Sequence, residues 1–321
     1  MSGEGESAAA SPGPWAKRLR LVGMALAALC VFILLRRLLD ASTELPPEVW
    51  RLADAGRLAQ AALLYLAALG ALALGWWCLL RARGDRPPAS QVATVTFLAQ
   101  VGKYLPGSVG QYVGRVELLR PHAVGRGPAV RVLAGEGLVL VALALAAAPL
   151  VIEALDVAAP APGGLPWPAL ADFFAELLAA VAGRPRVAWT FAVIGSAAAA
   201  AGGLWLAGAG PRGLSALPPY SSYLLLQGLS LAVLAAPLSE RSAPLGVVLA
   251  SFAVSWVAGF VVLGAPAGLG VRDFVLVVLL TPALGEPAAL AAALAHRWVV
   301  TAGDGLALLL GLALRSLLGR G

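Results

Sequence analysis

Charge is what this sequence has least of. Only 12% of its 321 residues are Asp, Glu, Lys or Arg, against about a quarter in a soluble domain. So little charge cannot cover a water-facing surface, which excludes an ordinary soluble enzyme or binding module. Lysine is almost missing: Lys17 and Lys103 are the only two, and every other basic residue is an arginine. The two cysteines, Cys30 and Cys78, both fall in apolar runs, where a free thiol behaves as a small hydrophobe. Their number excludes a disulfide framework, and no zinc-type spacing occurs. No His-Glu-x-x-His, Gly-x-Ser-x-Gly or Walker loop is present. The expectation is a chain that is not an enzyme and that carries neither a metal nor a cofactor.

What is there is hydrophobic length. Hydrophobic residues make up 60% of the chain, and apolar runs of about 17–25 residues recur, as a bilayer demands. The expected fold is all-α: a polytopic integral membrane protein of seven to eight spans. The net charge of +6 would raise nucleic acid as a partner in a soluble protein. Here basic residues at span ends facing anionic lipid headgroups account for it, and no nucleic-acid partner is predicted.

Residues 1–18 are predicted as a disordered N-terminal tail, and residues 19–321 as one transmembrane domain. The run over 19–35 imitates a signal peptide, but it is long for one and ends in Arg36-Arg37 without a small-residue cleavage site, so it reads as an uncleaved first span. Further spans are expected at about 58–80, 130–152, 187–207, 220–238 and 244–263, with a last stretch over 287–318. Residues 158–168 read as a linker and 173–181 as an interfacial helix. Basic residues at 17, 18, 20, 81, 83 and 86 lean towards a cytoplasmic N-terminus.

Two segments fit neither span nor loop. One runs Gly102-Lys103-Tyr104-Leu105-Pro106-Gly107-Ser108-Val109-Gly110 and on to Gly114-Arg115; the other runs Gly264-Ala265-Pro266-Ala267-Gly268-Leu269-Gly270-Val271-Arg272-Asp273. Each reads as a re-entrant hairpin of two half-helices, tolerated at membrane depth only inside protein or along a cavity. They anchor an internal repeat with halves at about 58–152 and 244–318. Pro106 and Glu136 are 30 positions apart, as are Pro266 and His296. Counted as simple spans, the halves come out parallel; a miscounted span, or a crossing by 173–181, would invert them. Paired broken segments in corresponding halves point to a substrate site.

The chemistry of these segments suits an anion. A helix starting after Pro106-Gly107, with Ser108 as N-cap, leaves backbone N–H groups unpaired and a positive dipole end. Gly107 and Gly110 would let a headgroup approach, and Lys103, Tyr104 and Arg115 would flank it. Pro266, Gly268, Gly270 and Arg272 would do the same in the second segment. The alternative is that the glycines only allow tight packing and the arginines snorkel. Glu136, Asp273, His296 and Arg297 are read as coupling residues. Glu136 needs a cation at membrane depth, which Arg297, Arg272 or Arg131 would supply; proton relay and a structural ion pair both remain open. Asp304, beside Gly303 and Gly305, reads as structural. Tyr104, Tyr112, Trp256 and Trp298 read as the lining of a lipid path or, for most of them, as interfacial or packing aromatics.

On these residues — 102–110, Gly114-Arg115, Glu136, 266–273 and Arg297 — the chain resembles the transmembrane, flippase-like domain of lysylphosphatidylglycerol synthases, and in particular its stand-alone, UPF0104-type members. The resemblance covers the chain from the first span to the end. It implies lipid translocation across a bacterial cytoplasmic membrane, with anionic or phosphate-bearing membrane lipids as partners. A soluble aminoacyl-transfer domain is lacking, Asp273 stands where the family often has Glu, and Gly-Leu-Val follows Glu136 in place of an Arg-containing run. The expected function is therefore a flippase-like lipid translocase of unassigned cargo. The alternative is a non-catalytic membrane subunit partnering a glycosyltransferase or another lipid-modifying enzyme.

Overall fold

The computed structural model describes residues 54–105, 109–119, 124–150, 185–238, 243–262 and 266–318, together with helical residues Leu21, Ala25, Leu29, Phe32 and Arg36. The expected tail, linker and interfacial helix lie outside the described residues, as do Pro106, Gly107 and Ser108.

Helix α1 spans Ala55–Arg83. Asp54 starts it by accepting the Gly56 N–H at 2.9 Å, satisfying one of the orphan donors of a first turn. Gly84 stops it at φ 107, and the N–H groups of Gly84 and Asp85 close on the carbonyls of Arg81 and Leu80, the glycine-dependent C-terminal motif. Helix α2, Ala89–Ala99, tightens into a 3-10 turn over Gln100–Tyr104, and α3, Gly110–Leu119, runs back along it. A methyl group on Gly102 would lie 2.6 Å from the Gln111 nitrogen, and one on Gly114 would lie 3.2 Å from the Ala99 Cβ; the two arms close on glycine at both levels.

Helix α4 spans Arg126–Leu145 and α5 spans Pro185–Leu206. They meet through Gly135 and Gly203, where a Cβ on Gly203 would stand 2.7 Å from the Gly135 carbonyl oxygen. Small residues that let backbones approach are how apolar helices associate in lipid. A 3-10 turn, Gly210–Ala216, leads into α6, Leu217–Ala235. Then follow α7, Leu245–Val261, the short turn Pro266–Gly268, α8, Val271–Leu284, and α9, Glu286–Leu318.

Length separates these helices into two kinds. At 1.5 Å per residue, the 29 residues of α1 and the 33 of α9 reach about 43 and 50 Å, beyond the roughly 30 Å of a bilayer core. The 11 residues of α2 and 14 of α8 reach only about 16 and 21 Å. Four helices, those containing α1, α4, α6 and α9, are long and apolar enough to cross a membrane. The protein is helical and membrane-embedded, with no strand among the described residues. Its outer face agrees: Leu63 is 67% exposed and Trp205 80%, a surface suited to lipid and costly in water.

The order long, short, short, long occurs twice, as α1–α4 and as α6–α9. The second of these runs begins at Leu217. The stretch expected as a sixth span contains α7, and α8 folds back on it where Gly268 and Arg272 meet Gly259, so the two helices form a second hairpin. Contacts between α1 and α6 give the relative direction of these two helices. Ser230 donates to the Ala61 carbonyl at 2.9 Å, while Tyr220 packs on Gly75. An early residue of each helix thus meets a late residue of the other, so α1 and α6, which open the two units, are antiparallel. The turns of the two hairpins touch one another.

Candidate functional site

Three clusters of charge lie inside this framework. The first belongs to the α1–α4 unit. Arg115 of α3 donates to Glu136 Oε1 at 2.6 Å, and Tyr220 of α6 donates to Oε2 at 2.8 Å. The guanidinium lies 5.2 Å over the Trp76 ring of α1, a cation–π seat. Both side chains of the ion pair are 3% exposed. Glu136 is thus paired with Arg115, not with Arg297, Arg272 or Arg131; the arm carrying Arg115 packs against α4 directly, whereas Arg297 is held elsewhere. Arg115 is consequently sealed into a brace of four helices and does not flank an open anion site.

The second cluster surrounds Asp304 of α9. Lys103 Nζ reaches both carboxylate oxygens, at 2.9 and 2.7 Å. Tyr104 donates to Oδ2 at 2.6 Å, and the Tyr65 hydroxyl donates to Oδ1. Lys103 also lies over the rings of Tyr65 and Tyr104. Asp304 is 1% exposed, and Tyr65 packs against Gly303, where any side chain would enter its ring. Lys103 and Tyr104, expected from sequence beside an anion, have the internal carboxylate of Asp304 as their partner.

The third cluster lies in the second hairpin. Arg297 of α9 holds Asp273 through Nε and Nη2, with the shortest contact 2.6 Å, and reaches the carbonyls of Ala267 and Gly268 at 3.3 and 3.4 Å. Asp273 sits in the first turn of α8, where the dipole favours an anion, and accepts the Gly270 N–H at 3.3 Å. The N-terminus of α8 is thereby filled by the chain's own carboxylate. Gly268 and Gly270 serve the backbone: their φ values are 66 and 80, a region that glycine enters freely. Gly110, likewise, has the Gly102 carbonyl and the Leu105 side chain against it, so its missing Cβ admits the neighbouring turn instead of a ligand. Pro266 begins the short turn preceding α8.

Arg272 differs from all of these. Its Nη2 approaches His296 Nδ1 at 3.4 Å, and its guanidinium lies 4.8 Å over Phe252. That ring stands edge-on to His296, which is 2% exposed. Among the described residues no carboxylate bonds to Arg272, although Arg272 and Arg297 both lie within electrostatic reach of Lys103. Of the aromatic residues considered from sequence, Trp256 stacks on Phe260 as packing, and Trp298 is 75% exposed on the outer face.

Sequence reasoning misses Tyr65, Tyr220 and Trp76, and sets Asp304 aside. The available signal is Asp304 itself, a carboxylate within a span, which is functional by default; the tyrosines lie in apolar runs and give none. Among the described residues no group of His, Cys, Asp and Glu stands ready for a metal. No protein-family model and no curated protein matches the chain, leaving the geometry of these side chains to argue for function.

Proposed function

We propose that the chain is a membrane lipid translocase that takes a phosphate-bearing headgroup where its two helical turns meet. One observation carries the reading. Among the described residues at that crossing, the cations Lys103, Arg272 and Arg297 stand against the carboxylates Asp273 and Asp304, and Arg272 has no carboxylate bound to it. A charge at bilayer depth costs on the order of 2.5–3.5 kcal/mol even on insertion scales, so an uncompensated guanidinium there calls for an anionic ligand. Phosphate suits it through bidentate geometry.

In this reading α2–α3 and α7–α8 are re-entrant hairpins entering from opposite membrane faces, because the helices that open the two units are antiparallel. Inverted repeats place substrate sites where their broken helices meet, and transport follows from rocking of one unit against the other. The resemblance to flippase-like domains of lysylphosphatidylglycerol synthases supports a lipid cargo and a bacterial cytoplasmic membrane.

Native mass spectrometry of the full chain, released gently from detergent, tests this. The wild type is expected to retain a phosphate-bearing lipid, and Arg272→Gln to lose it with its thermal unfolding unchanged. Equal retention by a folded Arg272→Gln protein would overturn the reading.

A further inference from the structure

The network around Asp304 bridges the two units. Asp304 lies on α9 of the second, and Lys103 and Tyr104 lie on the first hairpin's turn. Among the described residues, the groups that bond the carboxylate come from the first unit: Lys103 to both oxygens, Tyr65 to one and Tyr104 to the other. A lysine ammonium with two hydroxyl groups around an anionic oxygen pair is the donor set a phosphate would use. Resting on the headgroup reading above, we infer that Asp304 is an internal counter-anion which the incoming headgroup displaces from Lys103, and that Asp304 takes up a proton as it is displaced.

The two partners differ in freedom. The Lys103 side chain is 14% exposed and Asp304 is 1% exposed, so a ligand meets Lys103 first. Asp304 cannot follow the lysine, because Gly303 beside it is pressed against the Tyr65 ring. Once Lys103 turns to a phosphate, the carboxylate keeps only two hydroxyl donors and no cation. A buried, unpaired carboxylate neutralises itself instead of remaining charged. The step balances simply: a proton from water joins a carboxylate oxygen, Lys103 stays an ammonium, and the negative charge of the phosphodiester replaces that of Asp304.

The groups facing this site are Tyr65 from α1, Lys103 and Tyr104 from the turn, Tyr223 from α6, Arg272 and Asp273 from α8, and His296 and Arg297 on α9. Helix α2 contributes no ionisable group. Asp273 keeps Arg297 throughout. His296 is the competing proton acceptor, and the test separates it from Asp304.

Short-chain phosphatidylglycerol, whose phosphodiester does not titrate near neutral pH, is added to the full chain in detergent. Titration calorimetry in two buffers of different ionisation enthalpy then counts protons. Uptake of about one proton per lipid bound is expected for the wild type and for His296→Gln. No uptake, with binding retained, is expected for Asp304→Asn, which has no carboxylate to protonate. Binding to the wild type without proton uptake overturns the inference and leaves the headgroup site standing, as does uptake undiminished in Asp304→Asn or lost in His296→Gln. Absence of binding overturns the headgroup reading and the inference together.

Discussion

The first unit's Arg115–Glu136 pair and the second unit's Arg297–Asp273 pair resemble one device with its charges exchanged. In each, a residue of the hairpin's second arm meets a residue on the long helix that follows. They differ in what surrounds them. Arg115 and Glu136 are equal in number, capped by Tyr220 and Trp76 and closed to solvent. Arg297 and Asp273 are more open, at 14% and 9% exposure, and have Arg272 next in sequence. An ion pair that is complete braces helices; an ion pair beside a spare cation leaves a charge for something else to neutralise. Hence Arg115, which sequence alone ranks with Arg272, belongs to the scaffold.

Breaking the sealed pair gives the largest effect. Arg115→Ala leaves Glu136 buried without a cation, and the loss is expected to be about 3–5 kcal/mol, read as a marked fall in thermal unfolding temperature in detergent. Replacing both members by leucine is expected to recover most of that loss, since apolar substitution of a complete buried pair is often neutral. If the single and double variants were equally unstable, the pair would not be the brace described.

Next come the glycines on which the tyrosine donors rest. Gly75→Val and Gly303→Val drive methyl groups into Tyr220 and Tyr65, at an expected cost of about 1–3 kcal/mol each by overpacking. The comparison sharpens here, because Gly75→Val disturbs the brace and Gly303→Val the network around Asp304. Only the Gly303 variant is expected to weaken binding of phosphatidylglycerol vesicles, measured by flotation.

Arg272→Gln is expected to cost under about 1 kcal/mol in stability, as no carboxylate is left stranded, yet to reduce lipid retention by tenfold or more. A stability loss as large as that of Arg115→Ala would show that the two arginines do the same work.

The smallest effect concerns the turn before α8. Ala267 adopts φ 53, a left-handed conformation costing an L-residue roughly 1–2 kcal/mol. Ala267→Gly relieves it but adds unfolded-state entropy of about 0.4–1 kcal/mol, so a net gain of roughly 0–1.6 kcal/mol is expected, seen as a slight rise in unfolding temperature.

Much of this is legible in the sequence for physical reasons. Hydrophobic length announces α1, α4, α6 and α9, and the Gly/Pro clusters at 102–110 and 264–270 announce the breaks, because both signals are local. Helix α7 has 17 residues, at the lower limit of what crosses a bilayer, so length does not separate a span from a hairpin arm. What sets it apart is contact with α8 through Gly259, a residue that reads in sequence as ordinary span glycine. The pairing of Glu136 escapes sequence for the same kind of reason: three other arginines are candidates, and sequence distance does not rank them.

The sequence by itself determined that the chain is helical, that it is too apolar for water, and that two broken segments lie between its long helices. Those properties follow from composition and from the backbone preferences of glycine and proline, each acting over a few residues. The tertiary structure alone decided which charges are spent on one another. Ion pairing depends on side chains brought together from positions up to 201 apart, as Lys103 and Asp304 are, and on how completely lipid-facing helices shut water away from them. That difference in burial and count separates the brace from the proposed headgroup site.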